Sequence, residues 1–217
     1  MKAQILLPAK RTIGQSYHMT GRLKLLLVFV GALCFSAAQA HSPIVNDTDT
    51  PYSKEQPFEI DDPEHSKAIF SELRGAPEYY KIVSEEPFRF YAGILQAKLK
   101  SCEIQRSFSF EVLDAEGNTI ESRNGEMFDW WPWYEEFGRS WYWVGPEIGQ
   151  EFRGDRTYDA GTYWVRVFNR QDQGKYVLAI GDVERFGIGS IARLVLGGTM
   201  GKIREGWWDE SLCEIQN

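Results

Sequence analysis

The stretch from Asp159 to Asp182, DAGTYWVRVFNRQDQGKYVLAIGD, constrains the fold more than any other part of the chain. Side chains alternate between the two faces of a strand. Tyr163, Val165 and Val167 therefore share one face of a first strand and Trp164, Arg166 and Phe168 the other, and Tyr176, Leu178 and Ile180 repeat the pattern in a second strand. Between them, Asn169 to Gly174 has no apolar residue and ends on glycine, which predicts a hairpin loop rather than a crossover. Bulk on both faces demands a partner layer. The segment predicts an all-β protein, an antiparallel β-sandwich.

The amino terminus sets the compartment. Arg22 and Lys24 precede the apolar run Leu25 to Phe35, and the small residues of Ser36 to Ala40 close it, the pattern of a secretory signal peptide cut after Ala40. The run is short of the roughly 20 apolar residues of a membrane span. Met19, just ahead of the charged region, offers an alternative translation start, and Leu33 before Cys34 disfavours a lipid anchor. Cleavage removes five basic and no acidic residues, which takes the formal net charge from −7 to −12. So acidic a surface opposes nucleic acid and anionic membranes. A secreted or periplasmic protein without a transmembrane span follows. Cys102 and Cys213 remain, an even count that predicts a disulfide in an oxidising compartment.

Residues 41–57 are polar, proline-rich and aperiodic, and read as an extended amino-terminal arm. Residues 58–185 carry strand signals: Phe58 to Ile60, Lys67 to Leu73, Tyr79 to Val83, the long Phe88 to Leu99, and Phe108 to Leu113, whose turn Asp114 to Asn118 leads into Thr119 to Glu121 as a hairpin. Short strands with polar turns mean a sandwich. In residues 186–217, Ile188, Ile191, Ala192 and Val195 recur at helical spacing before Gly197-Gly198, which predicts a short C-terminal helix and a tail.

The order DPEHSKAIFSELRGAPEYYKI (Asp62 to Ile82), SFEVLDAEGNTI (Ser109 to Ile120) and DAGTYWVRVFNRQDQGKYVLAIG resembles the bacterial pre-peptidase C-terminal type of β-sandwich, within a group of uncharacterised exported microbial proteins. The resemblance covers about Glu59 to Phe186 and implies a jelly-roll-like sandwich that is accessory to something else. It brings no catalytic residues.

Enzyme motifs are absent: there is no GxSxG, HExxH, GxxxxGK[ST] or CxxC, and the mature chain holds two histidines, His41 and His65. Adjacent acids such as Glu135-Glu136 read as surface charge. The densest unusual composition is FDWWPWYEEFGRSWYW, Phe128 to Trp143. Here Trp130, Trp131, Trp133, Tyr134, Trp141 and Trp143 are the candidate ligand-binding residues of a non-enzymatic module for a glycan or an envelope protein. The competing use of these rings is a lid, a long connection buried over one end of the sandwich.

The alternative function is copper binding. Cleavage after Ala40 would give His41 a free α-amine beside its imidazole, and His65, Asp61, Asp62 and Glu64 could complete a tetragonal Cu²⁺ site. The tripeptide Arg153-Gly154-Asp155 matches a short adhesion signal and reads as an ordinary turn, and Asn46-Asp47-Thr48 is a sequon.

Overall fold

A computed structural model describes residues 42–46, 48, 50–99, 107–136, 139–184, 203 and 207–208. The elements are β1 (Ser42–Val45), β2 (Phe58–Ile60), β3 (Lys67–Arg74), β4 (Glu78–Ser84), β5 (Phe88–Phe90), β6 (Ala92–Ala97), β7 (Ser109–Leu113), β8 (Thr119–Arg123), β9 (Trp131–Glu135), β10 (Ser140–Ile148), β11 (Arg156–Tyr158), β12 (Gly161–Phe168) and β13 (Gln173–Ile180). The helix expected around 188–195, Cys102, Cys213 and His41 lie outside the described residues. Among those described, no helix is long and apolar enough to cross a membrane.

Two sheets face each other. One runs β1-β3-β13-β6-β10-β9 and the other β2-β4-β12-β7-β8, with β5 and β11 forming a separate two-stranded ribbon. Without the edge additions β1, β9 and β2, the orders β3-β13-β6-β10 and β4-β12-β7-β8 are those of an eight-stranded jelly roll. The all-β sandwich is thus as the sequence predicts, but the pairing is not purely antiparallel. At its amino-terminal edges β1 runs parallel to β3 and β2 parallel to β4.

The segment Asp159 to Asp182 does supply two strands, yet it is not a hairpin. Here β12 pairs with β4 and β7, while β13 pairs with β3 and β6 in the opposite sheet. The polar turn is a crossover between layers, held by Asn169, whose Oδ1 accepts the N–H groups of Gln171 and Gln173, both at 3.1 Å, and whose Nδ2 donates to Gln173 O at 2.8 Å. A hairpin would put Val165 and Tyr176 side by side; the crossover makes them face each other. Val165, Val167, Tyr176, Leu178 and Ile180 all sit in the central core. The bulk on the other face of β13 is explained separately, since Val177 and Ala179 join Phe70, Leu95, Tyr142 and Val144 in a second cluster on the outside of the six-stranded sheet, under Trp207 and Trp208.

The expected arm is also corrected. Residues 42–45 are a strand, and the connection to β2 is tied down by a buried carboxylate. Glu78 Oε1 accepts Asn46 Nδ2 at 3.4 Å and the Tyr52 N–H at 3.3 Å; Oε2 accepts the Tyr176 hydroxyl at 2.6 Å and lies 3.3 Å from that of Tyr80. Asn46 Nδ2 also donates to Ser71 Oγ at 3.0 Å, and the two tyrosine hydroxyls are 2.7 Å apart. One acid thus joins the arm to strands of both sheets. Burial pushes the Glu78 carboxyl above its ordinary range, against the pull of its donors, and raises both tyrosines further.

Candidate functional site

The Trp-rich stretch is neither a lid nor one surface. It is the antiparallel hairpin β9–β10, with Trp131 opposite Val144, Trp133 opposite Tyr142, Tyr134 opposite Trp141 and Pro132 opposite Trp143. Period-2 alternation sorts the rings between two faces. Trp131 and Trp133 lie with Tyr142 on the outside of the sheet. Tyr134 and Trp141, 5.2 Å apart, lie on the reverse and are 40% and 51% exposed. Trp143, also on the reverse, is half-buried under Lys98 Nζ, 4.5 Å from its ring centre. Trp130 precedes the hairpin, packs against the central core and donates its indole N–H to Gly125 O at 2.8 Å.

The reverse face offers a shallow hollow of about 400 Å³ lined by Lys98, Leu99, Pro132 and Trp141. It presents little for a ligand to hydrogen-bond. As β9 is the edge of its sheet, Pro132 withholds one backbone donor from any strand added there. Trp141→Ala is expected to shift stability by no more than about 0.5 kcal/mol, since its ring is half in solvent; thermal denaturation beside the wild type checks this.

The outer face holds a larger groove, about 730 Å³, lined by Phe128, Trp131, Trp133, Glu147, Gly149, Gln150, Glu151, Phe152 and Asp155. Aromatic walls with a few polar groups in this size range are what small-molecule and sugar sites look like. Its second wall is the loop after β10, whose backbone is unusual: Glu151 and Phe152 have φ of 50° and 64°, and Gly149 has φ of 97°. Consecutive non-glycine residues in the left-handed region persist only where neighbours impose them.

Glu147 imposes them. Its Oε1 accepts the Glu151 N–H at 3.1 Å, and its Oε2 accepts the Phe152 N–H at 3.2 Å and the Tyr91 hydroxyl at 3.1 Å. Burial, reinforced by the Glu147 charge, holds the Tyr91 hydroxyl protonated well past its usual range, so it stays a donor. The loop closes on itself through paired bonds between Gln150 and Arg153, both 3.0 Å, and a Cβ on Gly149 would stand 1.9 Å from Arg153 O. The outcome is to turn Phe152 inward, where it is 8% exposed and lies 4.7 Å from the Trp133 ring and 6.0 Å from Trp131. Trp131 and Trp133 are thereby braced from behind.

The tripeptide Arg153-Gly154-Asp155 belongs to this loop, and its backbone is held at Gly154. Gly154 N donates to Asp182 Oδ2 at 2.9 Å, and a Cβ there would meet Phe90 O at 2.5 Å. Asp182 in turn accepts Arg89 Nη2 at 2.6 Å.

Of the residues proposed for copper, His41 lies outside the described residues, and Asp61, Asp62, Glu64 and His65 sit in the turn ahead of β3. Among the described residues no three His, Cys, Asp or Glu side chains come together to hold a metal. Glu64 Oε1 accepts the Arg89 N–H at 2.8 Å. Lys67 Nζ donates to Asp62 O at 2.7 Å and His65 O at 3.2 Å, which places an ammonium where a second cation would be repelled. Asp61 and Asp62 face solvent in that turn.

Of the predicted ligand-binding residues, the groove therefore takes Trp131 and Trp133 and leaves Trp130, Tyr134, Trp141 and Trp143 outside. Sequence reading missed Glu147, Gln150, Glu151, Phe152 and Asp155. The one signal for them is local: Gly149 and Gly154 bracket a short polar turn directly after a strand.

Compared with known proteins, the chain matches no protein family and no curated relative. Among solved structures it is similar to the catalytic domain of a GH87 alpha-1,3-glucanase in complex with nigerose, at 16% identity and a TM-score of 0.27, over 52% of this chain and 22% of that one. A single-residue variant of the same domain gives the same values. The chain spans about a fifth of that domain's length, and a superposition of this quality supports no argument about chemistry.

Proposed function

We propose that this protein is an exported, non-enzymatic glycan-binding module whose ligand lies in the groove between β9 and the loop after β10. The observation that carries the reading is the pairing of two braced indoles, Trp131 and Trp133, with Gln150, Glu151 and Asp155 around one groove. Indole faces match the apolar faces of sugar rings, while the amide and carboxylates suit hydroxyl groups. Glu147 itself serves the architecture of the site, since both its oxygens accept hydrogen bonds from Tyr91 and the loop it shapes.

Calorimetric titration with linear gluco-, xylo- and N-acetylglucosamine hexasaccharides tests the reading. At least one should bind the wild type, and Gln150→Ala and Trp131→Ala should each weaken it by about tenfold or more, the effect of losing one stacked ring or one buried-type hydrogen bond. Unchanged affinity in both variants, with folding verified by melting, would refute the groove as the site.

A further inference from the structure

Resting on the glycan reading, we propose that the groove selects glycans bearing free ammonium groups, that is, polymers of amino sugars without their N-acetyl caps. Among the described residues, those that line it include Glu147, Glu151 and Asp155 and no lysine, arginine or histidine. Glu151 is exposed and Asp155 is 62% exposed, and both line the groove. Two nearby arginines are engaged with Glu121, and Arg153 of the same loop is exposed to solvent. Arg156 ion-pairs with Glu121 and reaches Asp155 only through Nε at 3.6 Å, and Arg123 pairs with the same Glu121 while its Nε donates to Glu147 O at 2.8 Å.

The aromatic wall points the same way. A cation above an indole face is attracted by the ring quadrupole, most strongly for tryptophan. Within this protein ammonium groups already settle so, as Lys98 does over Trp143 and Lys175 over Trp207 at 5.2 Å. Trp131, Trp133 and Phe128 present such rings beside two carboxylates, which suits a ligand that is flat and apolar on one side and cationic at its rim. A neutral sugar satisfies the first requirement and leaves the charge unmatched. An anionic glycan is repelled.

The probes are the hexamer of glucosamine and the hexamer of N-acetylglucosamine, titrated at low and at physiological salt. The glucosamine hexamer should bind about tenfold more tightly to the wild type, with an advantage that shrinks as salt rises. The isosteric double variant Glu151→Gln, Asp155→Asn should bring the two hexamers to within about threefold, while Glu85→Gln, Glu86→Gln, which removes two exposed acids from a distant turn, should leave the preference intact. Equal affinity for both hexamers in the wild type would overturn the ammonium preference and leave the glycan reading standing. Binding of neither, nor of any neutral hexasaccharide, would overturn both. An equal loss in the Glu85, Glu86 variant would also overturn it, by showing attraction to the acidic surface as a whole.

Discussion

Glu78→Ala should destabilise the protein by about 3–5 kcal/mol, the range for removing one member of a buried polar group and leaving its partners behind. The carboxylate collects the Asn46 amide, the Tyr52 N–H and the Tyr176 hydroxyl inside the sandwich. Without it these donors must find other acceptors in packed surroundings, and a cavity adds to the cost. Chemical denaturation measures the loss. The same residue gives a pH signature. Because burial raises its folded-state pKa above the unfolded value, the proton it holds favours the native state. Its contribution is complete below the ordinary glutamate range and is lost as pH rises through the elevated native value. The stability of the wild type relative to Glu78→Gln should therefore fall on going from acid to neutral pH. A flat difference across that window would contradict the burial account.

Glu147→Ala should cost a similar amount, about 3–4 kcal/mol, and abolish glycan binding as well. Three hydrogen bonds to a carboxylate are lost, each worth roughly 1.5–3 kcal/mol before relaxation. Once Glu151 and Phe152 are released from the left-handed region, Phe152 no longer braces Trp133. The two effects separate in Glu147→Gln. Its oxygen can still serve one loop N–H and its amide can donate to the Tyr91 hydroxyl, so stability should fall less while affinity drops. Melting and calorimetry on the same pair of variants provide the check.

How far the sequence reached depends on which property is local. Strand identity follows from alternation, and β3, β4, β7, β8, β12 and β13 fall where the sequence places them. Partnership is not local. The polar turn Asn169 to Gly174 suits a hairpin as well as a crossover, and only the packing of Val165, Val167, Tyr176 and Leu178 into one core decides between them. The amino-terminal segment looks free because nothing in its composition shows that Glu78, distant in sequence, will supply acceptors to Asn46 and Tyr52.

The Trp cluster shows the same divide. Its density marks the region correctly, and WPWYE and SWYWV alternate as strands do; reading that period would have sorted Trp131 and Trp133 from Tyr134 and Trp141. The opposite wall was out of reach. Glu147 looks like any acid near a strand end, and its role exists only through the backbone of Glu151 and Phe152.

The proposed ligand meets the outer face of the β9–β10 hairpin and not its reverse. The two faces carry different indoles, so the most direct measurement is the ¹H–¹⁵N spectrum of the tryptophan side chains during titration with the glucosamine hexamer and with the neutral hexasaccharides. The account predicts that the Trp131 and Trp133 indole signals move with ligand while Trp141 stays fixed. Movement of Trp141 and Trp143 with Trp131 and Trp133 unchanged would place the ligand on the other face and contradict it.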